Sequence, residues 1–392
     1  VDRGEELLSG AAWRAFCDRL RDAGERLLGD DFPADPRDRA EGTRNLTRLL
    51  VYALQQELEA GDTRLPSFVR HQDPHNQWGG PNPDNVYLRA AVDPTGSYRV
   101  WCDATGMRQA IFSLHQGDMQ LGEFGVYGER SLDQLEVGPD GRLELWVSPK
   151  ERPGNWIPMH PDARIFTIRI YQSDWAADAA PRFQIVREGA EGEPPPPLTP
   201  AFVAEALDRT ATWVERSQQF WNQYTRSAWE KSERNVVTPA RATRGGADNI
   251  AYGSCTWELA PDEALLLECD IPDAGYWGFT IHTLGWLESG AFADRQTSLN
   301  DHQTWRDADG RLRIVLSHDD PGVPNWIDTE GRPRGMLVYR FVWARTKPVP
   351  SARVVPLSRL RASLPSDHPR ITPDGRRLRL AERREQAWSR YR

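Results

Sequence analysis

Lysine is almost missing from this chain: of 49 basic residues only Lys150, Lys231 and Lys347 are lysines, a bias that reads as base composition rather than chemistry. Cysteine is also scarce. Cys17, Cys102, Cys255 and Cys269 show no CxxC spacing, which excludes the usual zinc and dithiol motifs. Four in 392 residues do not make a disulfide scaffold, so a reducing, cytoplasmic compartment is expected. No window reaches the roughly 18 consecutive apolar residues of a membrane helix. The opening Val1-Asp2-Arg3-Gly4-Glu5-Glu6 lacks the charged-then-apolar plan of a secretory signal. A net charge of −8 argues against nucleic acid as a partner, because phosphate neutralisation needs a basic surface. Also missing are a G-x-S-x-G elbow, a phosphate-binding P-loop, a dinucleotide G-x-G-x-x-G and an H-E-x-x-H zinc motif. No cofactor is expected.

Charged residues at 27% and hydrophobics at 39% describe a globular chain, and 16 tryptophans supply large rings for packing or stacking. Residues 1–80 read as a helical segment. Asp35 is placed as an N-cap before Pro36, and Leu46, Leu49, Leu50 and Leu54 form an apolar stripe. Period-two alternation over 81–186, clearest in Arg142-Leu143-Glu144-Leu145-Trp146-Val147-Ser148 after the turn signal Asp140-Gly141, predicts a first β-rich unit. Residues 187–247 hold the Pro194–Pro197 run and then a long helix starting at Thr199-Pro200. The alternation returns over 248–346. Residues 347–392 end in an arginine-rich helix, read as a solvated or subunit-contacting face, which allows a homo-oligomer.

The second β-rich stretch repeats the first. Asp84-Asn85 matches Asp248-Asn249, and Cys102-Asp103, Phe112 and His115 match Cys269-Asp270, Phe279 and His282. Asp140-Gly141-Arg142-Leu143 matches Asp309-Gly310-Arg311-Leu312, Asn155-Trp156-Ile157 matches Asn325-Trp326-Ile327, and Arg169 matches Arg340. The offset drifts from 164 to 171, as small loop insertions would produce. The predicted fold is mainly β and α+β overall: two tandem jelly-roll-like antiparallel β-sandwich units with N-terminal and inter-repeat helices.

The loop Pro81-Asn82-Pro83-Asp84-Asn85-Val86-Tyr87, with the strand-like Tyr98-Arg99-Val100, resembles the N-x-D-x-x-Y motif of the bacterial families of unknown function numbered 1254 and 1214. Glu41-Gly42-Thr43-Arg44-Asn45-Leu46 resembles the helix leading into that loop in the 1214 family. Asn325-Trp326-Ile327 and Tyr339-Arg340 resemble its C-terminal end. The resemblance spans roughly 35 to 345 and implies β-sandwich units with accessory helices, but no activity. Asn85 stands where the 1254 pattern has Thr.

Several residues could carry chemistry. Strand phase puts Ser113 with His115, and Thr280 with His282, on faces opposite the apolar positions. At about 6.6–6.8 Å along a strand, hydroxyl and imidazole are expected too far apart to bond directly, though both could line one pocket with the histidine as acid or base. Arg169 and Arg340 are candidate anion clamps, with a fold-fixing ion pair as the bland alternative. Asn82, Asp84, Asn85 and Tyr87 are either a ligand-binding rim or turn chemistry, and Trp156 and Trp326 either stacking platforms or core plugs. His71, Asp73 and His75 are potential metal ligands, but Pro74 breaks their alignment and no metal is expected. The leading expectation is a metal-independent pocket protein for a small, largely apolar or cyclic metabolite, with catalysis left open. The alternative is a non-catalytic binding or assembly module using surface tryptophans on carbohydrate. A third is that only one copy keeps a site. No membrane partner is expected.

Overall fold

A computed structural model describes residues 2–247 and 249–391. Asp248 of the Asp248-Asn249 anchor and Arg392 of the C-terminal arginine run lie outside them, as does Val1. By their contacts the residues form two units. The first comprises Val1–Trp78, Val86–Ile170 and Ala179–Gln223; the second comprises Gly79–Asn85, Tyr171–Asp178 and Tyr224–Arg392. The short loops 79–85 and 171–178 therefore group with the second unit, whereas sequence alternation runs them into the first.

The helices are α1 (Arg3–Leu8), α2 (Ala11–Arg26), α3 (Pro36–Leu54), α4 (Pro200–Lys231) and α5 (Pro373–Ser389). The α3 helix starts as its sequence predicts: the Asp35 carboxylate accepts the Arg37 amide at 2.9 Å, and Pro36 fills a first-turn site whose N–H would be orphaned anyway. Beyond Leu54 it widens into a π-helical turn over Gln55–Glu59. In the first unit α2, α3 and α4 bury Phe16, Leu207 and Ala211 against Leu20, Leu50 and Leu54.

Strands of the first copy are β1 (Val69–Arg70), β2 (Asn85–Ala91), β3 (Tyr98–Asp103), β4 (Gln109–His115), β5 (Val126–Ser131), β6 (Arg142–Ser148), β7 (Trp156–Pro158), β8 (Ile165–Tyr171) and β9 (Gln184–Arg187). Those of the second are β10 (Val236–Val237), β11 (Ile250–Glu258), β12 (Glu263–Asp270), β13 (Ala274–His282), β14 (Ser298–Asn300), β15 (Arg311–Ser317), β16 (Trp326–Asp328), β17 (Arg334–Ala344) and β18 (Ser351–Pro356). The sheet orders are β1-β2-β8-β4-β5 and β7-β6-β3-β9 in the first copy, β10-β11-β17-β13-β14 and β16-β15-β12-β18 in the second. Adding nine to each strand number turns one topology into the other. A parallel contact recurs as well, β6 with β7 and β15 with β16. The fold is mainly β, α+β overall, with two tandem β-sandwich units and helices around them. Strands β1, β10 and β18 lie outside the limits 81–186 and 248–346 read from the alternation, because two-residue edge strands and a strand after Pro350 leave little periodicity to read.

Duplication reaches the side chains. Asn155 holds Glu136 through its amide N–H and C=O, and also bonds the Glu144 carbonyl; Asn325 does the same to Trp305 and Arg313. Trp156 and Trp326 donate Nε1–H to the carbonyls of Ser148 and Ser317, at 3.1 and 3.2 Å.

The arginine-rich C-terminus corrects the expectation of a solvated face. Arg376 and Arg383 on α5 and Arg390 capping its end, spaced seven apart, are buried within the second unit, while Arg377 remains exposed. A seven-residue spacing returns to one helix face after two turns, so part of the charge run is an inward stripe.

Candidate functional site

In the first unit β4 and β8 turn Phe112, Leu114, Phe166, Ile168 and Ile170 toward the sandwich interior. Alternation then puts Ser113, His115, Thr167 and Arg169 on the outer face, joined there by Tyr87 and Arg89 of β2. Helices cover this face: the Tyr52 ring of α3 lies tilted, 5.1 Å from that of Trp213 of α4, and Trp78 meets Trp213 edge-on at 5.2 Å. The result is a polar layer under an aromatic roof.

The hydrogen bond that strand spacing seemed to forbid is present. Ser113 Oγ lies 3.0 Å from His115 Nε2 and 3.0 Å from Thr167 Oγ1. The expectation of two separated groups is corrected because the rise per residue sets the distance between Cα atoms, whereas a histidine can lean back along its strand. Burial, then the positive charges of Arg169 and Arg89, push the His115 imidazole down to about 3. It is neutral at physiological pH. His71, whose ring lies 5.2 Å from that of Tyr87, is lowered by burial, then Arg89, Arg169 and His115. Arg89 is closed: it gives two hydrogen bonds to Asp118, at 2.8 and 3.0 Å, and Trp213 Nε1 adds a third to the same carboxylate at 2.8 Å. Arg169 is not. Its Nη1 is buried without a hydrogen-bond acceptor among the described residues, and the residue is half-buried, as are His71 and His115.

This arrangement has definite chemical capacities. A neutral imidazole against a hydroxyl is the contact that general-base activation requires. A guanidinium with a donor to spare can hold a carboxylate or another anion. Because the two arginines depress His115, an anion on Arg169 would raise its basicity.

The second copy keeps the residues but seals them. His282 is 1% exposed, and neither ring nitrogen reaches hydrogen-bond geometry. Burial and then Arg340 push it down to about 3, against the nearby carbonyls of Pro81, Gly80 and Thr280. Arg340 is buried with its guanidinium 5.5 Å from the Tyr252 ring. Strand β13 runs here under the 79–85 loop, and a Cβ on Gly80 would sit 3.5 Å from His282 Nε2.

The Asn82–Tyr87 loop resolves into two parts. Asp84 is a hub: Tyr276 Oη, Trp175 Nε1 and Asn300 Nδ2 all donate to it, at 2.6, 2.7 and 2.7 Å. Asn82 bonds Asn85 Oδ1 at 2.9 Å and Tyr276 Oη. These three are committed to the second unit's interior. Tyr87 instead joins the His71 and Arg169 face of the first unit. Trp156 is half-buried, and Trp326 is buried with Arg376 5.0 Å over its ring. Of the suspected metal ligands, Asp73 caps the amides of His75 and Asn76 at 2.8 Å, and no group of three metal-binding side chains converges among the described residues.

Sequence reasoning missed Arg89, Asp118 and Thr167. The first and last share strand phase with Tyr87 and Arg169, which is a usable signal; Asp118 sits in a loop with none. A cavity of about 290 Å³ opens beside this layer, lined by Arg89, Asp118, Gln116 and Ile165, with Gln56 and Glu57 of the π turn opposite. His115 itself does not line it.

The family model described as protein of unknown function (DUF1214) matches residues 118–174 and 240–346. Among solved structures, an uncharacterized protein from Burkholderia cenocepacia is 32% identical with a TM-score of 0.84, over 91% of this chain and 99% of that one. The VPA0106 protein from Vibrio parahaemolyticus is 12% identical with a TM-score of 0.46, over 80% of this chain and 98% of that one. No curated protein matches. With the duplicated sandwich, the Asn-Trp clamps and this match in the same chain, the protein belongs to the DUF1214 family.

Proposed function

We propose that the first β-sandwich copy binds, and has the groups to transform, a small, largely apolar or cyclic metabolite bearing an anionic group. Arg169 is the anion clamp, His115 the acid or base with Ser113 as its partner, and Tyr87 and Trp78 supply the apolar wall. The observation that carries this reading is the half-buried Arg169 whose Nη1 lacks an acceptor, beside a Ser113–His115 contact of 3.0 Å. The second copy, with His282 sealed, is scaffold. The three buried cysteines, Cys102, Cys255 and Cys269, are free thiols that burial pushes up to about 12, which supports a reducing, cytoplasmic setting. The Asn82–Tyr87 loop is the ground for extending the kinship to the 1254 family. A tryptophan platform for carbohydrate finds less support, since Trp156 and Trp326 spend their Nε1–H groups on strand carbonyls.

Benzoate, cyclohexanecarboxylate and their neutral amides test the reading by thermal shift. The carboxylates should raise the melting temperature and the amides should not. Arg169→Met should abolish the shift, while Thr280→Val in the sealed copy should leave it unchanged. Equal response to acids and amides, or an Arg169→Met variant that still responds, would remove the anion clamp.

A further inference from the structure

The cavity beside the polar layer carries an inference of its own. Six ionisable side chains line it: Glu57, Asp118 and Glu123, and Arg89, Arg164 and Arg209. Two ion pairs are closed. Arg209 holds Glu57 at 2.7 Å, and Arg89 holds Asp118 at 2.8 Å. One acid and one base are left. Among the described residues the Glu123 carboxylate accepts the Asp118 amide alone, at 3.3 Å, and Arg164 gives Nη1 to the carbonyls of Pro161 and Ala163, at 3.0 and 2.8 Å. These two oppositely charged groups line the same cavity and feel each other's charge, yet among the described residues neither comes within ion-pair distance of a partner.

From this we infer that the cavity is a receptor for a small zwitterion, an amino acid whose carboxylate meets Arg164 at the exposed rim and whose ammonium meets the half-buried Glu123. A volume of about 290 Å³ suits a molecule of that size, since it is roughly ten times the share of one liquid water. Apolar Val69, Ala91, Leu121 and Ile165 also line the cavity and would flank the carbon chain. The sequence makes a specific allowance for the acid: a Cβ on Gly117 would collide with the Glu123 carboxylate, so only glycine at 117 lets it lie there. Burial chiefly, and then the nearby Asp118 charge, hold the Glu123 carboxyl above its usual range, against the Asp118 amide and the positive charges of Arg164 and Arg89. A ligand cation would relieve that situation. The inference stands apart from the Arg169 and His115 reading, with which it shares no residue.

A length series decides it. Glycine, β-alanine, 4-aminobutyrate and 5-aminopentanoate are titrated into the full chain by saturation-transfer NMR, with propanoate and propylamine as one-ended controls. One length should bind best, because the two charges have a fixed separation, and both controls should bind at least tenfold more weakly. Glu123→Gln and Arg164→Met should each weaken the best member tenfold or more. Gly117→Ala, which keeps every charge but displaces the acid, should do the same. Controls that bind as well as the series, no preferred length, no binding at all, or full binding by either charge variant would overturn the inference. Arg169→Met should bind the series normally, which separates this result from failure of the anion clamp.

Discussion

Asp84 shows how a residue suspected of meeting a ligand can instead organise a fold. At 1% exposure, a carboxylate is tolerable only with its lone pairs filled, and Tyr276, Trp175 and Asn300 fill them. Tyr276, buried beside that charge, is pushed well above the usual phenol range by burial first and by Asp84 second, so it donates rather than ionises. Asp84→Ala strips Trp175 Nε1 of its acceptor and leaves Tyr276 Oη with Asn82 and Asn300 Nδ2 with the Ser173 carbonyl, and should cost roughly 2–3 kcal/mol. Urea unfolding of wild type and variant gives the number. A loss below about 1 kcal/mol would mean that water reaches the hub. Ser113 and His115 are the contrasting case, satisfied by one another yet half-open on the histidine side.

Within an element, spacing decides which members of a charged run are structural. Arg383 of α5 lies 4.4 Å over Trp175 and donates to the Phe292 carbonyl at 2.7 Å and to Ser298 Oγ at 2.8 Å. Burial, opposed by the Asp84 charge and aided by Arg390, brings it down to about 10, so it stays protonated at neutral pH. Arg390 lies 4.6 Å from the same indole and bonds Gln172 and the Pro83 carbonyl. Arg383→Ala should therefore destabilise by roughly 2–4 kcal/mol, as expected for losing a buried, hydrogen-bonded cation over an aromatic ring. The exposed Arg377→Ala should stay within about 0.5 kcal/mol. Similar melting temperatures for the two variants would return α5 to the solvent. Strand β11 offers a second case. Gly253 faces Tyr339 across the β11–β17 ladder, and an added Cβ would fall 2.2 Å from Cζ of the buried tyrosine. Gly253→Ala should cost about 1–3 kcal/mol by overpacking, read as a drop in urea midpoint with unchanged slope.

For the molecule as a whole, one half-buried and one fully buried histidine make stability depend on pH. His115 and His282 both titrate near 3 when folded, while an unfolded histidine titrates near about 6.5. Below 6.5 the unfolded chain therefore binds more protons than the native one, and stability falls as pH falls, until native protonation near 3. The expected slope is about 1.4 kcal/mol per pH unit for each such histidine. Comparing wild type with His282→Gln isolates one of them: wild type should lose stability faster between pH 6 and 4.5. Parallel curves would show that His282 is not held neutral. The duplication gives this comparison its use, since His115 remains in both proteins as the half-open counterpart.

Repetition of rare residues determined the architecture from sequence alone. Cys-Asp, Asp-Gly-Arg-Leu and Asn-Trp-Ile occupy fixed places in a sheet, and their recurrence in order is enough to announce two sandwiches. Local chemistry was equally legible where the partners are neighbours in sequence, as in the Asp35 cap and the Thr199-Pro200 helix start. Strand phase likewise showed which side of its strand Arg169 takes. Tertiary structure alone decided what each of those side chains meets. Asp84 finds Asn300, and Ser113 finds Thr167, across separations that no periodicity encodes. Whether a histidine is open or sealed depends on the cover above its strand: two copies with the same Phe-x-x-His spacing differ because a loop containing Gly80 lies over one of them. Periodicity records which way a side chain leaves the backbone. The group waiting there comes from distant chain, and only folding brings it.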